Sequence, residues 1–245
     1  HRYIYDATLG WRNIPNWTGT TFGKPLSINS HGLRDLEYSY EKPVNRRRIL
    51  VLGDSYTWGY GVGNKEIYTE VLENSLLQQK DWQVLNAGVS GWGTDQQYLF
   101  LRKEGFRYDP DIVIVSFFFG NDFREISSSQ QYQLDKPVFI NTALELNNSP
   151  VPKPRQEGAN PVYYSTAPSD QLAEAIFRRM AADCKKKNAR LVVFKFGAYV
   201  DPPTRKLFET TMPPRRREDL IEMARRSAAF NASMQRISGL QYLDM

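Results

Sequence analysis

From residue 46 onward the chain alternates between unbroken apolar runs and stretches with apolar residues at helical spacing. The runs are RRRILVLG (46–53), WQVLNAG (82–88), DIVIVSFFFG (111–120), ARLVVFKF (189–196) and LQYLDM (240–245). A strand covered on both faces demands such continuous apolarity, so the first reads as a buried strand, the next three as further strands and LQYLDM as a fifth strand cut at its end. Between them, NKEIYTEVLENSLLQQ (64–79) predicts a helix with Ile67, Val71, Leu72 and Leu76 on one face. Thr94 or Asp95 can cap a helix over QQYLFLRKE, with Gly105 as its stop signal. Residues 170–187 and 218–237 carry further amphipathic helices, and about residues 125 to 165 read as a long irregular stretch, polar and then rich in proline.

Repeated strand–helix alternation with buried strands implies an α/β domain, a three-layer α/β/α arrangement around a five-stranded parallel sheet of the flavodoxin-like kind. This domain spans 46–245. Residues 1–45 differ, being aromatic, turn-rich and without helical period. They predict an irregular N-terminal extension in which Trp11, Trp17, Phe22, Tyr38 and Tyr40 pack against the domain, a separate glycan-binding arm being the other reading.

Composition narrows the classes. The 245 residues carry a net charge of +5, and no stretch approaches the apolar length of a membrane span. The chain starts at His1, so a processed or trimmed form is expected, and an upstream signal or membrane anchor is compatible with it. The single cysteine, Cys184, follows Phe177 and Met180 on an amphipathic pattern and reads as a packed thiol. Basic runs at Arg46-Arg47-Arg48, Lys185-Lys186-Lys187 and Arg215-Arg216-Arg217 lack interleaved aromatics and read as solvated element ends rather than a nucleic-acid surface. No His/Asp/Glu cluster has metal-ligand spacing, and no cofactor is expected. Sequons at Asn16, Asn147 and Asn231 matter only in a glycosylating compartment.

In such folds chemistry gathers at the carboxyl ends of the strands. There stand Asp54-Ser55, the stretch Gly88 to Thr94, and Gly120-Asn121-Asp122. Ser55 can present its hydroxyl to a crevice, and its N–H can point at a developing oxyanion. Gly91 offers a second N–H without a Cβ to obstruct a substrate, and Asn121 a side-chain NH2. Each alone reads equally as an ordinary strand-end turn.

Jointly and in this order, they resemble the SGNH (GDSL-type) hydrolase superfamily. VLGDSYTWG is similar to its first block, NAGVSGWGT (86–94) to its second and FGNDF (119–123) to its third. YDATLGWRNIPN (5–16) and INSHGLRD (28–35) resemble the lead-in of bacterial envelope-associated members. The resemblance implies Ser55 as nucleophile, Gly91 and Asn121 as oxyanion donors, and Asp54 as a supporting brace. Asp122 reads as a helix cap or loop brace, with an acid–base role beside Asp54 as the sharper alternative. Tyr56, Trp58, Trp92 and Phe123 are either a wall for an acyl or sugar group or core and rim packing. The resemblance also implies a cell-envelope location, periplasmic or secreted.

The family's fourth block, Asp-x-x-His, supplies the general base after the fifth strand, but the only histidines here are His1 and His31. Three explanations stand: the parent protein continues to that block, the expectation favoured here; the protein is a pseudoenzyme; or His31, in a Ser/Gly turn where an exposed loop residue is expected, substitutes. The implied activity is hydrolysis of a small-molecule or glycan ester through an acyl-enzyme on Ser55. The alternatives are an acyltransferase that O-acetylates a glycan and a silent glycan-binding module. A nucleotide-binding domain lacks both G-x-G-x-x-G and a phosphate-binding lysine.

Overall fold

A computed structural model describes residues 2–76, 81–155, 159–197 and 214–244. The apolar runs form five parallel strands: β1 (Arg47–Leu52), β2 (Trp82–Asn86), β3 (Ile112–Phe118), β4 (Arg190–Phe196) and β5 (Leu240–Asp244). Across the sheet they run β5-β4-β3-β1-β2. The helices are α1 (Ser55–Trp58), α2 (Tyr68–Leu76), α3 (Thr94–Lys103), α4 (Asp122–Glu125), α5 (Ser169–Lys186) and α6 (Pro214–Met234). This is the α/β/α layering and flavodoxin-like strand order that the alternation implies.

Strand side chains alternate between faces. Leu50, Leu52, Leu85, Val113, Val115, Phe117, Leu191 and Val193 join one core with side chains of α3, α5 and α6. Phe117 meets Phe123, Phe177 and Phe230 there at centroid distances of 5.1, 5.5 and 5.2 Å. Ile49, Val51 and Val84 form the opposite core with Leu72 and Leu76 of α2. Cys184 is buried on α5 as a packed thiol, its pKa pushed up to about 12 by burial and by Asp183.

Residues 2–45 make two hairpins, Tyr3–Asp6 with Gly10–Asn13 and Thr18–Thr21 with Lys24–Ser27, followed by coil. Leu9, Trp11, Leu33 and Tyr38 enter the main core. The Nε1 of Trp92 donates to the Trp11 carbonyl (2.9 Å), and Gln96 Nε2 to that of Leu9 (2.7 Å). Phe22 departs from expectation: at 76% exposure it only edges against Tyr60, because it sits at positive φ on a hairpin tip.

Other local expectations are corrected. Val71 is exposed, because α2 begins at Tyr68 and buries Thr69 and Glu73, with Leu72 and Leu76 turned toward the sheet. The cap of α3 is Gly93, one residue ahead of Thr94, with the Gln96 side chain accepting from the Gly93 N–H at 3.2 Å. Asp95 instead pairs with Lys136, both fully buried. Arg48 is no solvated end: it is buried and donates to Gln83 Oε1 and to the carbonyls of Tyr40, Glu41 and Tyr108. Lys185, Lys186 and Lys187 are exposed, and the side chains of Arg215, Arg216 and Arg217 lie outside the described residues.

Candidate active site

The strand order creates a switch point. From β1 the chain goes first to β2 on one side and later to β3 on the other, so the connections diverge and leave a crevice at the carboxyl ends of β1 and β3. Ser55 follows β1 and Asn121 follows β3.

Local chemistry holds Ser55 at that edge. Gly53 must lack a Cβ, which would lie 2.1 Å from Thr57 Oγ1. Asp54 caps α1, its Oδ1 accepting from the Tyr56 N–H at 2.9 Å. Gly59 closes the short helix in the left-handed region at φ +84°. Arg34, buried, then gathers the carbonyls that follow. It donates to Trp58 (2.9 Å), Gly59 (2.5 Å) and Val62 (2.6 Å), and its Nε to Asn64 Oδ1 (3.1 Å). Burial among carbonyls lowers its pKa to about 10.

The second turn lies against the first. The N–H groups of Ala87 and Val89 donate to Val51 (2.8 Å) and Gly53 (3.1 Å), continuing the parallel ladder past the strands. A Cβ on Gly88 would meet the Trp58 backbone nitrogen at 2.5 Å. Gly91 sits at φ +82° in the turn closed by Trp92 N–H to the Val89 carbonyl (3.1 Å). Among the described residues, the N–H groups of Ser55 and Gly91 have no protein acceptor.

Asn121 completes the group. Its Nδ2 donates to Glu125 Oε1 at 3.0 Å and lies 3.5 Å from Asp54 Oδ2, while its Oδ1 is buried and unpartnered. Asp122, fully buried, accepts from the Phe118 N–H (2.7 Å) and so braces the loop, the blander of its two readings. Glu125 also accepts from Tyr132 Oη (2.9 Å) and Gln131 Nε2 (3.3 Å), leaving Oε2 buried without a partner. Burial pushes the Glu125 carboxyl up to about 7; the Asp54 charge adds to this, while the Tyr132 hydrogen bond and the charges of Lys136 and Arg124 oppose it. Burial also raises Asp54, and raises Asp122 strongly with help from Asp54 and Glu125. Three carboxyls thus share one desolvated corner behind the crevice.

Ser55 is half-buried and borders two clefts. One, of about 450 Å³, has Tyr56, Tyr60, Val62, Ile67 and Tyr68 in its walls. The other, of about 370 Å³, is shared with Gly91 and walled by Arg2, Tyr3, Trp11, Tyr60 and Tyr132. Of the four aromatics considered as a substrate wall, Tyr56 is the one exposed beside Ser55, packed on Phe118 and Phe196. For the other three the packing reading holds. Trp58 is buried with Nε1 on Asn13 Oδ1, Trp92 is buried against Trp11, and Phe123 sits in the aromatic core.

The structure does not bring His31 to Ser55. It is half-buried rather than an exposed loop residue, its Nδ1 3.0 Å from Tyr108 Oη and its ring stacked on Tyr40 at 4.4 Å. Tyr108 precedes β3, and both Tyr108 and Tyr40 supply carbonyls to Arg48 at the start of β1, toward the amino ends of the strands. His1 lies outside the described residues. Among the described residues no group of His, Cys, Asp and Glu is arranged to hold a metal ion, and no helix is long and apolar enough to cross a membrane.

Sequence reasoning passed over Arg2, Arg34 and Glu125 as parts of this site. The signals were faint: Arg34 lies inside INSHGLRD, and Glu125 stands one helical turn after Asn121.

A flavodoxin-like sheet with serine, glycine and asparagine at its switch point defines the class to which comparison can be made. The chain belongs to the GDSL-like lipase/acylhydrolase family, whose model matches residues 51–244. Among solved structures it is similar to the psychrotrophic esterase EstA from Pseudoalteromonas, with 14% identity, TM-score 0.47, and 81% of this chain and 77% of that one covered. It is also similar to TesA, with 15% identity, TM-score 0.44, and coverage of 76% and 73%. A GDSL-like lipase from Bacteroides thetaiotaomicron matches with 14% identity, TM-score 0.39, and coverage of 83% and 71%. No curated protein sequence matches the chain. Family membership carries ester-hydrolase chemistry in the broad sense.

Proposed function

We propose that the protein is a serine ester hydrolase acting through an acyl-enzyme on Ser55, on acyl or acetyl esters including carbohydrate-linked ones. One observation carries this reading: Ser55 and Gly91 border the same cleft with their N–H groups unclaimed, and Asn121 Nδ2 lies beside Asp54, the residue preceding Ser55. In the proposed reaction Ser55 Oγ attacks the ester carbonyl as its proton passes to a base. The developing oxyanion is held by the N–H groups of Ser55 and Gly91 and the Asn121 amide. The C–O bond to the alcohol then breaks, the alcohol leaves with a proton, and water releases the acyl group. Asp54 acts as a brace, through its bond to the Tyr56 N–H. His31, held by Tyr108 and Tyr40, does not reach Ser55 to serve as that base.

The test is intact mass after exposure to a fluorophosphonate, on the 245-residue chain and on the product of the complete reading frame, each beside Ser55→Ala. Stoichiometric labelling that Ser55→Ala abolishes supports the reading. Labelling of the 245-residue chain puts the base within these residues; where the complete reading frame proves longer, labelling of that form alone puts the base outside them. No labelling of either overturns the assignment.

A further inference from the structure

The cleft that Ser55 shares with Gly91 has aromatic walls and a single charged side chain. Tyr3, Trp11, Tyr60 and Tyr132 supply the rings, Arg2 the charge, and no carboxylate lines it. The Arg2 guanidinium lies over Trp58 and Tyr60, 5.4 and 5.6 Å from their ring centroids. Its Nη1 is buried and without a hydrogen-bond partner among the described residues. The backbone at Arg2 is tied down, its carbonyl accepting from the Ile14 N–H at 3.2 Å.

The fully buried cations among the described residues are matched. Lys136 faces Asp95, and Arg34 and Arg48 are satisfied largely by backbone carbonyls. Arg2 has no such complement among the described residues. Glu125 is not in the wall itself and meets it through the Tyr132 hydroxyl. A buried donor left unpaired costs free energy, and a charge-assisted bond to an anion recovers it. Stacking on two rings also holds the guanidinium in place, lowering the entropy lost when an anion binds.

Resting on the reading of Ser55 as the reacting residue, we infer that this cleft receives an oxyanion carried by the substrate, a carboxylate or a phosphate, with Arg2 as the specificity-determining residue. The rings beside it suit the apolar face of a sugar or a short chain bearing that group.

The test uses Ser55→Ala protein, which cannot turn over, and the fluorescence of Trp11 and Trp58, one in the cleft and one beneath the guanidinium. Sodium glucuronate, sodium phosphate and glucose are titrated separately. A saturable change is expected with at least one anion, at concentrations where glucose gives none, and it weakens as salt is raised. Adding Arg2→Gln is expected to weaken that anion about tenfold or more, whereas Arg2→Lys retains part of the affinity. Urea midpoints of the variants confirm that the fold is kept. A response to phosphate alone identifies a phosphoryl group, and a response to glucuronate alone a carboxylate. The inference is overturned if neither anion saturates, if glucose matches them, or if Arg2→Gln binds as well as Arg2. Loss of Ser55 labelling with the anion response intact removes the hydrolase reading alone, and labelling without an anion response removes this one alone.

Discussion

Glu125 holds a carboxyl where water does not reach it, and its titration is readable in stability. In the unfolded chain it ionises near its ordinary 4.5, whereas in the folded protein it keeps its proton up to about 7. Between those values the native state binds more protons than the unfolded one, so stability falls as pH rises through that window. The shift corresponds to roughly 3 kcal/mol. Asp54 and Asp122 are displaced in the same direction and add to the slope. Glu125→Gln keeps an acceptor for Asn121 and Tyr132 but cannot ionise. Urea unfolding at pH 5 and pH 8 is therefore expected to show wild type losing about 3 kcal/mol more than the variant; parallel losses would refute the assignment. A second residue-scale expectation concerns Gly91, where a Cβ would sit 3.0 Å from the Tyr132 ring at φ +82°. Gly91→Ala is expected to cost about 1 kcal/mol in urea unfolding. It should slow fluorophosphonate labelling of Ser55 far more than that loss explains, because the turn carrying the N–H must shift. The serine, glycine and asparagine were legible from their motifs. Glu125 was not, since the turn at Gly93 that packs against it comes from a distant part of the chain.

At the scale of elements, the short helix after Ser55 is the weak point that the lead-in repairs. Four residues form too little helix to persist alone. Arg34 takes the carbonyls of Trp58, Gly59 and Val62 and lies 4.7 Å from the Trp58 ring centroid. Arg34→Met retains bulk but leaves those carbonyls unpaired. It is expected to cost about 3 kcal/mol in urea unfolding and to abolish labelling of Ser55 before the fold is lost. Full labelling in a destabilised variant would show that the helix is held by other contacts. The central strands were legible because burial on both faces leaves long apolar runs, as in Ile49 to Leu52, whereas the edge strand β5 is half-buried to exposed along its length. Element ends were less so. Gly93 caps α3 with a side chain borrowed from Gln96, and Val71 faces outward because α2 buries the face of Thr69, Leu72, Glu73 and Leu76.

Across the whole molecule, residues 2–45 are woven into the domain rather than laid over it. Leu9, Trp11, Leu33 and Tyr38 share the core of the sheet, and Asp35 Oδ2 accepts from the Asn86 N–H at 2.6 Å. Removing residues 1–45 is thus expected to yield protein without a cooperative unfolding transition, and a sharp transition in that fragment would show the hairpins to be an accessory. By itself the sequence determined the elements and their class, because periodicity is a local consequence of which faces must be apolar. It also determined the order of the three blocks, because their glycines and polar residues answer local backbone demands, as at Gly53 and Gly59. Only the tertiary structure decided which of these residues share a cleft. The crossing from β2 over β1 to β3 sets Ser55 and Gly91 on one cleft and Asn121 beside Asp54, and packing of the first hairpin adds Arg2, Tyr3 and Trp11 to that cleft. It likewise withdrew Trp58, Trp92 and His31, because burial and hydrogen bonding are set by neighbours far away along the chain.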